Sequence, residues 1–264
     1  MKIFMNDAYI EESETRITPF SNGFMYGFGA FETIRVRNQQ VLYLGQHHKR
    51  MVHACSVLSL KLPYSIEECE AIIGKLLRLN VVADGFVKIV ASRGNQDRTD
   101  VIFLTGTKVY KKEYETGLKL CLAESRRNEH SKLVGIKSMN YAENIMEKER
   151  ALRLGFDEAV FLNTDGKVAE GCVSNVFWAR AGIVYTPSIG CGILPGTARE
   201  RTISLCAALD IPIRTGAYNL EGLLDADEVF VTNSLMEIMP ARSVGDRQFD
   251  IKKYEVVPRL TEKC

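Results

Sequence analysis

Lys137, in the run Leu133-Val-Gly-Ile-Lys137-Ser-Met-Asn140, is the residue of this chain best placed to act as an amine nucleophile. It carries the only charge between Leu133 and Asn140, in a run that reads as a strand leaving a core. Alone, it would read as an ordinary strand-end lysine. Two later segments change the reading. Val168-Ala-Glu170-Gly-Cys-Val-Ser174-Asn175-Val-Phe-Trp178 holds a lone acid, then small polar side chains, then an apolar strand. Gly192-Ile-Leu-Pro-Gly196-Thr197-Ala198-Arg199 breaks the chain and opens a helix.

An amine, a carboxylate and a helix N-terminus together match the needs of pyridoxal 5′-phosphate. The amine captures the aldehyde and, once released, serves as general base. The carboxylate keeps the pyridine nitrogen protonated, which makes the ring a better electron sink. The phosphate is cradled by free helix N–H groups and an arginine. Thr197 and Ala198 supply that cradle, although Thr197 could simply cap the helix. Arg50, in His47-His48-Lys49-Arg50-Met51, is the candidate clamp; a solvated helix face is the alternative for such a run. Glu170 is the candidate carboxylate, with Ser174 and Asn175 as polar pocket residues beside it. Thr232-Asn233-Ser234 forms a similar polar tip at the end of a strand.

Strand pairs are expected at Lys2–Met5 with Ala8–Glu11, and at Phe31–Val36 with Gln40–Leu44. Helices are expected at Gln46–Leu58, Ser65–Leu79, Tyr141–Leu154, Thr197–Leu209 and Leu220–Leu224. Further strands are expected at Gly85–Ala91, Val101–Thr105, Leu118–Leu122, Glu158–Leu162, Val176–Ala179, Ile183–Thr186 and Glu228–Thr232. The charged stretch 109–117 lacks an apolar period and reads as a linker between an N-terminal α/β domain, 1–108, and a C-terminal domain, 118–264. The fold class is α+β, without strict βαβ alternation.

The 264 residues, 46% hydrophobic and 25% charged, suit a globular chain of one large or two modest domains. A formal net charge of +1 gives no pull toward nucleic acid or acidic membranes. Apolar runs such as Val229–Val231 are too short for a membrane span, and the N-terminus lacks a signal-peptide core. Seven cysteines form no CxxC pair, which points to reduced thiols in a cytoplasm. The four histidines show no metal-ligand spacing.

The chain resembles the fold-type IV pyridoxal-phosphate enzymes: branched-chain and D-amino-acid aminotransferases and aminodeoxychorismate lyases. The likeness rests on Gly23-Phe-Met-Tyr26-Gly-Phe-Gly-Ala-Phe31-Glu32-Thr33-Ile-Arg35, His47–Arg50, Gly135–Asn140, Glu170–Trp178, Gly192–Arg199 and Thr232–Pro240, in the family's order. It implies a two-domain D-amino-acid-aminotransferase-like fold with the cofactor at the domain interface. It also implies a homodimer, for which Phe24, Met25, Tyr26 and Phe28 would suit the contact. By position it gives Lys137 the Schiff base, Glu170 the ring nitrogen and Arg50 the phosphate. It adds Thr197 and Ala198 through their backbone N–H groups, and Ser234 as a further phosphate ligand. Thr197-Ala198 departs from the family's β-branched residue followed by threonine, losing one hydroxyl. Tyr26-Gly-Phe-Gly replaces a common Gly-Asp-Gly.

Within the family the likeness is to the aminodeoxychorismate lyases, which split 4-amino-4-deoxychorismate into 4-aminobenzoate, for folate, and pyruvate. Thr33 would lie beside the lysine, and Arg93 and Asn233 would hold substrate carboxylates. On this reading free Lys137 removes the C4 proton and the enolpyruvyl oxygen leaves C3. A hydroxyl such as that of Thr33 would orient Lys137 or help a proton reach the leaving oxygen. A D-amino-acid or branched-chain aminotransferase would share the lysine and differ in its substrate pocket. A relict, non-enzymatic fold is a third reading, against which the intact Lys137, Glu170 and Arg50 argue.

Overall fold

Gly29–Arg37 alternates buried and half-buried residues, as a strand does when one face packs on a core. The computed structural model, which describes residues 1–95, 98–108 and 112–263, builds its first unit around that strand. The strands are β1 (Lys2–Met5), β2 (Ala8–Glu11), β3 (Gly29–Arg37), β4 (Gln40–Val41), β5 (Gly85–Arg93) and β6 (Thr99–Gly106). They pair antiparallel in the order β2-β1-β6-β5-β3-β4. The short helix α1 (Asn22–Tyr26) precedes β3; α2 (Leu44–Val57) and α3 (Ile66–Leu79) pack on the sheet. Ser65 and Glu68 form a reciprocal capping box that starts α3 as its sequence demands. Ile34, Val36, Val87, Ile89 and Phe103 from the sheet, with Met51, Cys55, Ile73 and Leu76 from the helices, are buried. The opposite sheet face, with Phe31, Thr33, Phe86, Lys88 and Val90, is only half-buried.

The chain divides into two compact units, Met1–Val109 with Ile136–Asn140, and Tyr110–Gly135 with Tyr141–Cys264. Lys137 therefore belongs to the N-terminal unit, not to the stretch 118–264 with which the sequence groups it. The expected strand before Lys137 does not form; the residues around it make turns. Only a short strip pairs with β3. The Phe31 N–H donates to the Lys137 carbonyl at 2.9 Å, and the Met139 N–H to the Gly29 carbonyl at 2.8 Å. These flank one isolated bridge between Ala30 and Ser138. Of the expected linker 109–117, residues 109–111 lie outside the described residues. Lys112–Thr116 is a helix, α4, because Tyr114 packs on the second core and donates to the Met236 carbonyl.

The second unit contains β7 (Leu118–Arg127), α5 (Ala142–Arg153), β8 (Glu158–Asn163), β9 (Val168–Gly171), β10 (Asn175–Arg180) and β11 (Ile183–Pro187). It continues through α6 (Thr197–Ala208), β12 (Ile213–Gly216), α7 (Leu220–Leu224), β13 (Glu228–Asn233), β14 (Glu237–Val244), β15 (Arg247–Gln248) and α8 (Val256–Thr261). The order is β12-β11-β10-β13-β14-β7-β8-β9, with β9 also bonded to β10. That extra pairing closes β10, β13, β14, β7, β8 and β9 into a ring. β8 and β9 are buried along their whole length, so their sequences show no alternation. The interior includes Phe177 stacked on Phe230 at 5.1 Å between centroids, worth about 1 kcal/mol beyond the area buried.

Candidate active site

Strand alternation sets what each side chain of β3 can reach. Phe31 and Thr33 point to the half-buried face; Glu32 and Ile34 point to the buried face under α2. The backbone strip at Lys137 lies against the start of β3, and its Nζ sits 4.4 Å from the Phe31 ring centroid. This cation–π contact holds the amine over the face that also carries Thr33. Two residues singled out for chemistry thus share one face of one strand.

Arg50 is not on a wet helix face. Its Nε and Nη2 donate to Glu32 Oε1 and Oε2, both at 2.7 Å, and His47 Nδ1 lies 2.7 Å from Oε2. Glu32 is 1% exposed. Burial alone would raise its pKa, but the charge and hydrogen bonds of Arg50 and the contact with His47 outweigh burial and hold it at about 2. His47 and Arg50, three apart on α2, meet Glu32 together. This bidentate grip fixes the orientation of the guanidinium. The sequence reading missed Glu32; the available signal was an acid at an inward position of an alternating strand.

A group whose pKa falls on folding stabilises the fold at pH values above its unfolded pKa. That stability is lost as pH drops through the folded value. Glu32, lowered from 4.5 to about 2, therefore contributes at neutral pH and loses its contribution between about pH 4.5 and 2. We expect Glu32→Gln to be destabilised at pH 7 by about 3 kcal/mol, with its deficit against the parent shrinking as pH falls toward 2. Urea midpoints of both proteins at pH 7 and pH 3 check this; a constant gap would refute it.

Arg93 ends β5 on the face opposite Lys88 and Val90. Its Nη2 donates to the carbonyls of Leu58 (3.1 Å) and Ser59 (3.2 Å), and its guanidinium stacks 4.2 Å from the Phe28 centroid. Within the chain it serves the C-terminal end of α2, where a positive charge is favoured. The structure does not bring it to the face of Thr33 and Lys137.

In the second unit Glu170 is 7% exposed, which removes the solvated-loop reading. Its Oε1 lies 3.0 Å from Arg127 Nη2, and its Oε2 accepts from the Leu194 N–H at 2.9 Å. Asn175, opposite Glu170 where β9 meets β10, donates to Glu170 at 3.5 Å and to the Leu194 carbonyl at 3.0 Å. The carboxylate is thus tied to the segment that runs into α6. Arg127, which the sequence reading missed, stacks 4.3 Å from the Phe161 centroid and also bonds Asn144. It sits at the far end of β7 from the apolar residues that reveal the strand.

Gly196 is the N-cap of α6, and no side chain caps the helix. Thr197 occupies the first helical position rather than the cap; its hydroxyl lies 3.2 Å from that of Ser234. The first turn, carrying Thr197 and Ala198, presents N–H groups at the positive end of a twelve-residue helix. A Cβ at Gly196 would lie 2.0 Å from Asn175 Oδ1, so any larger residue there would displace the Asn175 side chain. Asn233 orders the neighbouring turns. Its Oδ1 accepts from the N–H groups of Leu235 (2.9 Å) and Met236 (2.7 Å), and its Nδ2 donates to the Val173 carbonyl at 3.2 Å. It thereby positions Ser234. The Ser174 hydroxyl, next to Asn175, is buried and has no hydrogen-bond partner among the described residues.

These groups fit pyridoxal phosphate. Lys137 offers an amine on an aromatic face and Glu170 a fixed carboxylate. The α6 N-terminus with Thr197 and Ser234 offers a phosphate cradle, and Ser174 an orphan hydroxyl for a polar ligand atom. The comparisons with known proteins agree. The family described as "Amino-transferase class IV" matches residues 29–244. The aminodeoxychorismate lyase of Bacillus subtilis (strain 168) is 33% identical over 98% of this chain and 92% of its own length. The D-alanine aminotransferase of Staphylococcus haemolyticus is 28% identical over 99% of this chain and 95% of its own. A crystal structure of the branched-chain aminotransferase of Thermoproteus uzoniensis, solved with norvaline, superposes with a TM-score of 0.92 at 29% identity, covering 100% and 93% of the two chains. With the fold of those enzymes and their motifs in order, the chain belongs to the class IV aminotransferase family, enzymes dependent on pyridoxal 5′-phosphate.

Proposed function

We propose that the protein is a 4-amino-4-deoxychorismate lyase, releasing 4-aminobenzoate, a folate precursor, and pyruvate. The observation that carries this reading is the Thr33 side chain on the same face of β3 as the Lys137 amine. Elimination must deliver a proton to a departing oxygen, and a hydroxyl beside the general base is suited to that. Transamination has no leaving group to protonate. The 33% identity to the Bacillus subtilis lyase supports the same reading.

The roles follow from the chemistry of each group. Bound pyridoxal phosphate supplies a protonated ring that draws electrons from the substrate carbon next to the amine. Lys137 would hold the cofactor through its amine and would take the C4 proton of the substrate. Glu170, kept in place by Arg127 and the Leu194 N–H, keeps the ring nitrogen protonated. Arg50, the α6 N–H groups of Thr197 and Ala198, and Ser234 hold the phosphate. Ser174 and Asn175 would offer polar groups to the bound cofactor. Thr33 passes a proton to the enolpyruvyl oxygen. No second substrate is consumed.

Phe20, Phe24, Met25 and Tyr26 expose an apolar patch around α1, Phe20 at 82%. We assign its cover to a second copy of the chain, as in a homodimer. The free, buried cysteines 55, 69, 121, 172, 191 and 206 favour a reducing cytoplasm. No helix of the described residues is long and apolar enough to cross a membrane.

Product analysis tests the assignment. Pyridoxal-phosphate-loaded protein incubated with 4-amino-4-deoxychorismate, without any keto acid, should release 4-aminobenzoate and pyruvate in equal amounts. No product, with amino transfer from D-alanine or leucine to 2-oxoglutarate instead, would move the assignment to an aminotransferase.

A further inference from the structure

Lys88 is a cation on the face of Thr33 and Lys137, a face that Arg35 and Arg37 of β3 also share. It faces Thr33 directly across the β3–β5 ladder. Its Nζ sits 5.1 Å from the centroid of the Phe31 ring, the ring that also carries the Lys137 amine at 4.4 Å. Among the described residues no acid or carbonyl pairs with the Lys88 amine. The side chain is half-buried, and that burial lowers the pKa of the amine below the ordinary lysine value. A lysine stem often covers apolar surface while its head reaches water. Here the head itself lies on an aromatic ring inside the reacting face. A desolvated ammonium without a counter-charge is costly, and an arriving anion would supply the missing partner.

We propose that Lys88 binds a carboxylate of the substrate, fixing it over Phe31 beside Thr33 and the reacting amine. The assignment rests on the lyase reading for the identity of the substrate, a ring acid that carries an amine. It gives the substrate-binding role to a residue on the reacting face, where Arg93 does not project.

Equilibrium titration of the pyridoxal-phosphate-loaded protein separates the possibilities. Lys88→Met should weaken 4-aminobenzoate by about ten- to a hundredfold, while the neutral 4-aminobenzamide binds as it does to the parent. Lys88→Arg should restore most of the loss. Unchanged affinity for the acid, or equal weakening of acid and amide, would overturn the proposal, since a merely structural lysine acts on both alike. If the parent releases no pyruvate from 4-amino-4-deoxychorismate, the lyase reading falls on its own. Lys88 is then judged with glutarate against its neutral diamide. A loss confined to glutarate supports a carboxylate site, and equal affinities in parent and Lys88→Met overturn it.

Discussion

Alanine at position 137 should lower turnover on the order of 10⁴-fold while leaving the fold intact, because it removes the amine proposed both to hold the cofactor and to act as general base. The side chain meets Phe31 through its charged end, and the strip that joins β3 uses only backbone groups, which alanine retains. Thermal unfolding should therefore shift little. Covalent attachment gives a second reading of the same experiment. Borohydride reduction of the loaded parent should mark the peptide containing Lys137, and the variant should carry no mark. Because two amines share the Phe31 ring, a label found on Lys88 in the parent would sink the assignment of Lys137.

Glu170→Gln should be nearly as damaging, for a different reason. Both carboxylate oxygens face donors, Arg127 Nη2 at 3.0 Å and the Leu194 N–H at 2.9 Å. A glutamine must turn its own NH₂ toward one of them, so a donor meets a donor and Arg127 loses its close counter-charge. A stability loss of about 3 kcal/mol is expected from breaking such a pair. Loss of the charge proposed to keep the ring protonated should lower turnover on the order of a thousandfold. Cofactor affinity should change less than turnover, since the phosphate contacts proposed at α6 are untouched. Destabilisation with unchanged turnover would make Glu170 purely structural.

What the sequence reveals and hides follows from how local each signal is. The helix opening at Ser65 and the hairpin turning at Asn6-Asp7 are settled within a few neighbours, and both form as read. Glu170 and the α6 start stand out because their charges and breakers interrupt apolar runs. β14 does not stand out. It is central to its sheet yet contains Pro240, a residue that ordinarily marks an edge. β12 and α8 are short, and α8 carries Pro258 within its six residues. Its start depends on Glu228, whose carboxylate accepts from the N–H groups of Glu255, Val256 and Val257. Glu32 is hidden for the same reason. Its partners stand 15 and 18 residues later, on a helix whose inward face emerges only after folding. The run before Lys137 misleads in the opposite sense: it is apolar enough for a strand, but only a short strip finds a partner.

That strip has a consequence for synthesis. Residues 136–140 complete a unit whose other residues all precede position 110. A nascent chain emitting β1 through β6 can form its sheet long before the reactive amine exists, and the amine must wait until a stretch of the other unit has been translated. Splitting the gene at the charged stretch near 109 would cut there too. The amine would leave with the downstream fragment, while the ring that holds it stayed on the upstream one.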